Sequence, residues 1–226
     1  MDPNYIAVIA STMGIAWASG INLYATIATL GILANTGSII LPPDLQILAS
    51  PTIVMAAGFM YFVEFFADKI PGVDTGWDVI HTFIRIPAGA ILAARAIAPI
   101  GPEAEVVGML LGGALAAGSH FTKAGTRVLA NTSPEPFSNW ALSIGEDVVV
   151  IGGVWASLQH PVLFIIAMVL FILLIIWLLP KIYRGITLLF GKIAAFFRGR
   201  SAAPEPPPVS TPPTPSTITL PKSDQE

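Results

Sequence analysis

Long apolar runs separated by short polar stretches fill the chain from near its N-terminus to about residue 180. A helix that crosses a bilayer takes about 20 mostly apolar residues. These runs are apolar on all faces, whereas the strands of a membrane barrel alternate in polarity over roughly ten residues. The pattern predicts an all-α polytopic membrane protein with about six transmembrane helices. We place them at 5–33, 51–68, 79–98, 106–129, 137–157 and 161–180.

The first run is too long for a straight span. An α-helix of about 29 residues measures about 43 Å, against a hydrocarbon core of about 30 Å. The run must therefore tilt, protrude or break, and we predict the break at Gly20 beside Asn22. Pro51 and Pro161 stand where a first-turn proline is tolerated, which supports helix starts at these positions.

The end of the chain differs in composition from the spans. Residues 181–200 mix basic with apolar side chains, a pattern typical of an amphipathic helix lying on the membrane surface. Residues 201–226 hold eight of the twenty prolines and no aromatic residue, so we expect a disordered tail. The predicted domains are 1–180 in the membrane, 181–200 at its surface, and 201–226 as the tail.

Composition agrees with a membrane protein. The chain is 54% apolar and 11% charged, with a mean hydropathy of +0.74, while soluble domains are about 25% charged. It has no cysteine, which excludes disulfides, thiolate metal sites and cysteine nucleophiles. Basic residues follow the last span, so the positive-inside rule places the C-terminus in the cytoplasm, and six spans return the N-terminus to the same side.

A short repeat suggests two related halves. The string LANT occurs at 33–36 and again at 129–132, and the same spacing aligns Thr26 with Thr122. This predicts repeats at 5–98 and 103–180, inverted because each has three spans, as in many secondary transporters. In so biased a composition, chance is the alternative explanation.

Charged residues within the apolar runs are the candidate site. A lone charge at the bilayer centre costs roughly 2.5 to 3.5 kcal/mol on insertion scales, so such groups usually face each other, water or a substrate. We predict no catalytic and no metal-binding residue. The candidate substrate- or ion-binding residues are Glu64, Asp68, Asp78, His81, Arg85, His120, Lys123, Arg127, Asn131, Ser133, Glu135, Asn139, Ser143, Glu146 and Asp147.

Helical spacing groups these candidates by face. Glu64 and Asp68 are one turn apart near the end of the second span. The charged residues Asp78 and Arg85, with a histidine between them, share a face of the third span, so the two faces can meet across one hairpin. The functional hypothesis is proton relay or ion coordination. The alternative is a set of structural ion pairs that fix the hairpin.

The fourth span carries a basic stripe of His120, Lys123 and Arg127 that leads toward Asn131 and the polar face of the fifth span. A binding surface for an anion is one interpretation. The other is that Lys123 and Arg127 snorkel to the interface while Ser133 caps a helix.

Small and aromatic residues add two packing predictions. Gly108 and Gly112 have the spacing that allows close helix contact. Trp17 falls in the middle of a span, where we expect it to pack between helices.

The strings EFFADKIPGVDTGWDVIHTFIRIPAGA at 64–90 and SHFTKAGTRVLANTSPEPFSNWALSIGED at 119–147 resemble the two signature blocks of the bacterial membrane family called domain of unknown function 4126. The resemblance covers about residues 10 to 180. It implies a multi-pass protein of the bacterial inner membrane and gives no substrate.

Three function hypotheses follow. The first is a small permease or channel-like transporter for an anionic solute or phosphate-bearing lipid, coupled to protons or cations. The second is a non-transporting scaffold that recruits partners through the basic helix and the proline-rich tail. The third is an intramembrane enzyme with a carboxylate site, although zinc, Walker, dinucleotide and nucleophile-elbow signatures are missing. Expected partners are the bilayer, an anionic solute or lipid headgroup, and a second copy in a homodimer, with no nucleic acid and no cofactor.

Overall fold

The computed structural model describes residues 3–70, 72–131 and 136–199, and seven α-helices form in this part of the chain. They are α1 Pro3–Ile21, α2 Leu23–Asn35, α3 Pro51–Ala67, α4 Val73–Ile97, α5 Pro102–Ala130, α6 Pro136–Gln159 and α7 Pro161–Gly199. A 3-10 helix at Pro43–Ala49 precedes α3, and another at Ala98–Ile100 follows α4. Helices begin at Pro51 and Pro161, as predicted.

The first apolar run is broken at Asn22. This residue has an extended backbone (φ −146°, ψ 99°), and its side-chain Oδ1 accepts the backbone N–H of Ala25 at 2.9 Å. A side chain that satisfies an otherwise unpaired N–H at a helix start is a standard N-cap, so Asn22 ends α1 and begins α2. The predicted break is confirmed.

The number of membrane spans differs from the prediction of six. Four described helical segments are long and apolar enough to cross a membrane, and a fifth is added if the 3-10 helix and α3, bent by 66°, count as one span. The break at Asn22 leaves α1 and α2 as shorter apolar helices of 19 and 13 residues. These helices indicate a membrane protein with four to five candidate spans.

The end of the chain is one helix within the described residues. We expected a separate amphipathic helix at 181–200, but α7 continues through Pro180 to Gly199. The helix bundle belongs to a compact unit that ends at Leu188, and the last described turns of α7 belong to a second unit. The surface location of 181–200 stays a prediction, and the predicted tail at 201–226 lies outside the described residues.

Small residues bring α1, α4 and α5 close together. A Cβ added at Gly108 would come within 2.5 Å of Ile97, and one added at Gly112 would collide with Ala93. Both predicted glycines therefore lie at a tight contact between α4 and α5. Trp17 is also buried as predicted, at 6% exposure, and packs edge-on against Phe164 of α7.

We expect Gly20→Ala to destabilise the protein by about 1–3 kcal/mol, because overpacking a filled contact forces backbone shifts. The new methyl group would collide with the Ser119 hydroxyl and with the backbone carbonyl of Ala116, which cannot rotate away. Thermal unfolding of detergent-solubilised protein measures the effect. Gly58→Ala is the matched control, because no atom lies within 4 Å of its added Cβ. Equal melting temperatures for the two variants would contradict the prediction.

Candidate functional site

Charged side chains from four helices meet inside the bundle, and we call this set the ion network. Each member has at least one oppositely charged partner within 4.0 Å. Glu64 comes from α3, Asp68 follows the end of that helix, and the others come from α4, α5 and α6. The members are Glu64, Asp68, Asp78, Arg85, Lys123, Arg127 and Glu146.

Lys123 is the centre of the ion network. Its Nζ lies 2.9 Å from Oδ2 of Asp68 and 3.1 Å from Oε1 of Glu64. Longer approaches of 3.6 Å to Glu146 and 3.9 Å to Asp78 complete its surroundings. An ammonium has three N–H donors, so Lys123 has too few to donate a separate hydrogen bond to each of the four carboxylates. Lys123 therefore balances acidic groups from three elements.

The two arginines extend the network on either side of Lys123. The Arg85 guanidinium donates to Glu64 at 2.6 Å and to Asp78 at 2.9 Å. Arg127 donates twice to the Glu146 carboxylate, at 2.6 and 3.2 Å, and also to the backbone carbonyl of Asp68 at 2.6 Å. Both arginines are fully buried.

The snorkelling interpretation of the basic stripe is wrong. Arg127 is 0% exposed and Lys123 only 4%, so neither side chain reaches an aqueous interface. Both side chains point into the bundle, where helix packing has excluded water. There they pair with buried carboxylates.

The network holds one more carboxylate than it has cations. One oxygen of each of three carboxylates, Oε2 of Glu64, Oδ1 of Asp68 and Oδ2 of Asp78, has no hydrogen-bond partner among the described residues. Leaving a charged oxygen buried and unpaired is costly. Taking up a proton would remove the excess negative charge without removing any cation.

The network lies away from the ends of α4 and α5. Arg85 is about 18 Å along α4, and Lys123 is about 10 Å before the end of α5, at 1.5 Å per residue. A cavity of about 370 Å³ between α4, α5 and α7 reaches the network at Asp78. Its other polar lining residues are Thr75, Thr82 and Tyr183.

The two candidate histidines border the network. His81 Nε2 lies 3.2 Å from the Tyr24 hydroxyl, and the imidazole stacks on Trp77 with ring centroids 4.3 Å apart. His120 Nε2 lies 2.7 Å from the Thr82 hydroxyl. Among the described residues, neither histidine forms an ion pair, and no three acidic or histidine side chains are arranged to hold a metal ion.

Asp147 and Ser143 each make a separate polar contact beside the network. The Asn22 amide approaches Asp147 Oδ1 at 3.4 Å, at the break between α1 and α2. Ser143 Oγ lies 3.4 Å from the Nζ of Lys69, which also donates to the Phe65 carbonyl at 3.0 Å. Lys69 follows α3 outside the candidate spans, and burial lowers the pKa of its ammonium group.

Of the remaining candidates, Asn131 is the one whose side-chain contacts the structure describes. Asn131 donates to both oxygens of Asp74, at 2.9 and 3.0 Å, and so ties the end of α5 to the start of α4. Asn139 lies on α6, but its side chain is outside the described part of the structure. Ser133 and Glu135 also lie outside the described residues.

Comparison with known protein families gives a match over most of the chain. The model of the family described as domain of unknown function, DUF4126, matches residues 9–181. The chain belongs to the DUF4126 family. No curated protein and no solved structure matches it.

The DUF4126 match includes every member of the ion network and both blocks that carried the resemblance, so that prediction is confirmed. The match ends before the proline-rich residues 201–226. The family description supplies no activity, and any function must be argued from the geometry of the site.

Sequence reasoning missed several residues around the site of this DUF4126 protein. Asp74 is fully buried and accepts hydrogen bonds from backbone N–H groups of Gly72 and Thr75 as well as from Asn131. Tyr24 was overlooked, and Asn22 was noted only as a break point. A polar residue inside an apolar run was the available signal for both.

Proposed function

We propose that this DUF4126 protein is a small membrane transporter that couples movement of an anionic, phosphate-bearing solute or lipid headgroup to proton uptake. The observation that carries the proposal is the ion network, in which three buried cations are shared among four carboxylates from both halves of the chain. Ionisable groups at membrane depth usually mark an ion or substrate path.

Charge balance gives the coupling its physical basis. With every carboxylate ionised the network is net negative, and each cation is already paired, so an anion is repelled. Each proton that binds at or beside the network adds one positive charge, which reduces the repulsion between the carboxylates and an incoming anion. Proton binding therefore favours anion binding, and by linkage anion binding favours proton uptake to the same degree.

The proposal keeps the predicted inverted repeats 5–98 and 103–180, the homodimer, and the inner-membrane location with both termini in the cytoplasm. The network supports the repeat only in that it joins the two halves: Glu64 and Asp68 come from the first, and Lys123 and Arg127 from the second.

The scaffold hypothesis depends on residues 201–226, outside the described part, and stays a prediction. Ion pairing of the carboxylates disfavours the intramembrane enzyme.

Uptake of inorganic phosphate into proteoliposomes tests the proposal. We expect uptake above that of empty liposomes when the outside is more acidic than the inside, and a parallel rise in internal proton concentration reported by a trapped dye. A second arm follows movement of a labelled phospholipid between leaflets, which distinguishes a lipid headgroup from the free anion.

Arg127→Gln should lower the flux roughly tenfold or more, because a lost charge-assisted hydrogen bond costs about 1.5–3 kcal/mol. Arg95→Gln is the matched control, since Arg95 is 50% exposed and pairs with Asp44 and Glu105 away from the network. Flux equal to that of empty liposomes in both arms, under every gradient, would overturn the proposed function.

A further inference from the structure

We propose that Asp147 is the proton-binding residue of this protein and that Asn22, at the break between α1 and α2, responds to its protonation. The transport part of this inference depends on the proposed function, whereas the proton site itself does not. Two observations separate Asp147 from the carboxylates of the ion network, and a third connects it to the helix break.

Among the described residues, no lysine or arginine forms an ion pair with Asp147. Each network carboxylate has a lysine or arginine nitrogen within 3.2 Å, while the described residues place no such nitrogen within 4.0 Å of Asp147. The groups that approach its carboxylate are neutral, the Asn22 amide at 3.4 Å from Oδ1 and the Tyr61 hydroxyl, and Oδ2 is buried with no hydrogen-bond partner among the described residues. A buried carboxylate without a nearby cation is the group that gains most from becoming neutral.

Asp147 is also more accessible than the other carboxylates that have an unpartnered oxygen. It is 9% exposed, against 0% for Glu64, 3% for Asp68 and 2% for Asp78. A proton can therefore reach it with the smallest structural change. A metal ion is a poorer occupant, because the described residues contain no group of three acidic or histidine side chains arranged to bind one.

The charged and titratable groups around Asp147 come from every neighbouring element. Tyr61, Glu64 and Asp68 face it from α3 and its end, Lys69 from the following turn, and Lys123 from α5. Glu146 precedes it on α6 and is paired with Arg127. The α1–α2 break contributes the uncharged Asn22. Glu64 and Asp68 carry the same charge as ionised Asp147, while neither Lys69 nor Lys123 comes within 4.0 Å of its carboxylate.

The Asn22 amide connects Asp147 to the start of α2. Its Oδ1 caps α2 through the Ala25 N–H, and its Nδ2 points to Asp147 Oδ1. When Asp147 is ionised, the carboxylate holds this amide in place. Proton binding converts the carboxylate to a neutral acid, which weakens the contact and loosens the cap at a position where the helix is already interrupted.

Infrared difference spectroscopy on the full-length protein in lipid tests the site without a known substrate. Acidification should produce the carbonyl stretching band of a buried protonated carboxyl group in the wild type. We expect Asp147→Asn to lose this band. Asp147→Glu should keep it with a shifted midpoint, which guards against loss through misfolding. The control Glu105→Gln, at the partly exposed cluster with Arg95, should also keep it.

The outcomes separate the two proposals. Persistence of the full band in folded Asp147→Asn overturns the proton site, even if wild-type vesicles carry a proton-coupled flux. Loss of the band only in Asp147→Asn supports the site, even if no flux is found, in which case the proposed function fails alone. A proton-coupled flux that Asp147→Asn leaves unchanged would also overturn the assignment to Asp147.

Discussion

Replacement of Lys123 with methionine is expected to lower the free energy of unfolding by about 3–5 kcal/mol, because it leaves buried carboxylates without their shared counter-charge. Methionine keeps most of the apolar stem of lysine, so the loss reports the ammonium group and not a cavity. Four carboxylates approach Nζ within 4.0 Å, and no other cation in the described residues contacts as many. Thermal unfolding in detergent, with the yield of folded protein, measures the effect.

Lys181→Met is the matched control for this change. Lys181 is exposed, and its Nζ lies over the Trp177 ring, a contact worth about 0.5–1 kcal/mol at an exposed site. If the two lysine variants unfolded at the same temperature, the network would have no stabilising centre at Lys123.

Loss of Arg85 should lower the free energy of unfolding by a similar amount. Removal of its acidic partner Asp78 should restore part of that free energy. Arg85→Met leaves Asp78 with one cation, the Lys123 ammonium at 3.9 Å, and we expect a loss of about 3–5 kcal/mol. Adding Asp78→Asn returns the network to its original excess of one carboxylate over its cations. Residues in direct contact couple by about 0.5–3 kcal/mol, so the double variant should be more stable than Arg85→Met alone.

A double-mutant cycle on unfolding free energies measures this coupling. The cycle with Arg95→Met and Asp44→Asn serves as the control. The two side chains of that pair are 3.4 Å apart, and each is about half exposed. Exposed pairs contribute about 0–1 kcal/mol. A coupling energy for Arg85 and Asp78 no larger than that of the exposed pair would contradict a buried network.

Helical periodicity made much of the site predictable. Residues three, four and seven apart share a helix face, so Glu64 with Asp68, and Lys123 with Arg127, could be grouped before any contact was known. The two groups then meet because an isolated charge among packed helices is too costly to remain unpaired. The break at Asn22 was predictable for a similar local reason, since asparagine caps helices and the run was too long.

Other features depend on tertiary contacts that one sequence does not display. The basic stripe on α5 was interpreted as an anion surface or as snorkelling side chains, but Lys123 and Arg127 are paired with carboxylates from other helices. The role of Asp74 depends on Asn131, 57 residues later. The count of six spans is not confirmed, because a cap at one residue divides a long apolar run into two helices that are short for a span.

The pairing of Glu64 with Arg85 has a consequence for biosynthesis. These residues are 21 positions apart on consecutive helices and lie 2.6 Å from each other. As the chain leaves the ribosome, this hairpin can enter lipid with Glu64 and Arg85 already paired. Among the described residues, Asp68 pairs only with Lys123 and Arg127, which emerge later on α5, so integration balances the buried charges in two steps.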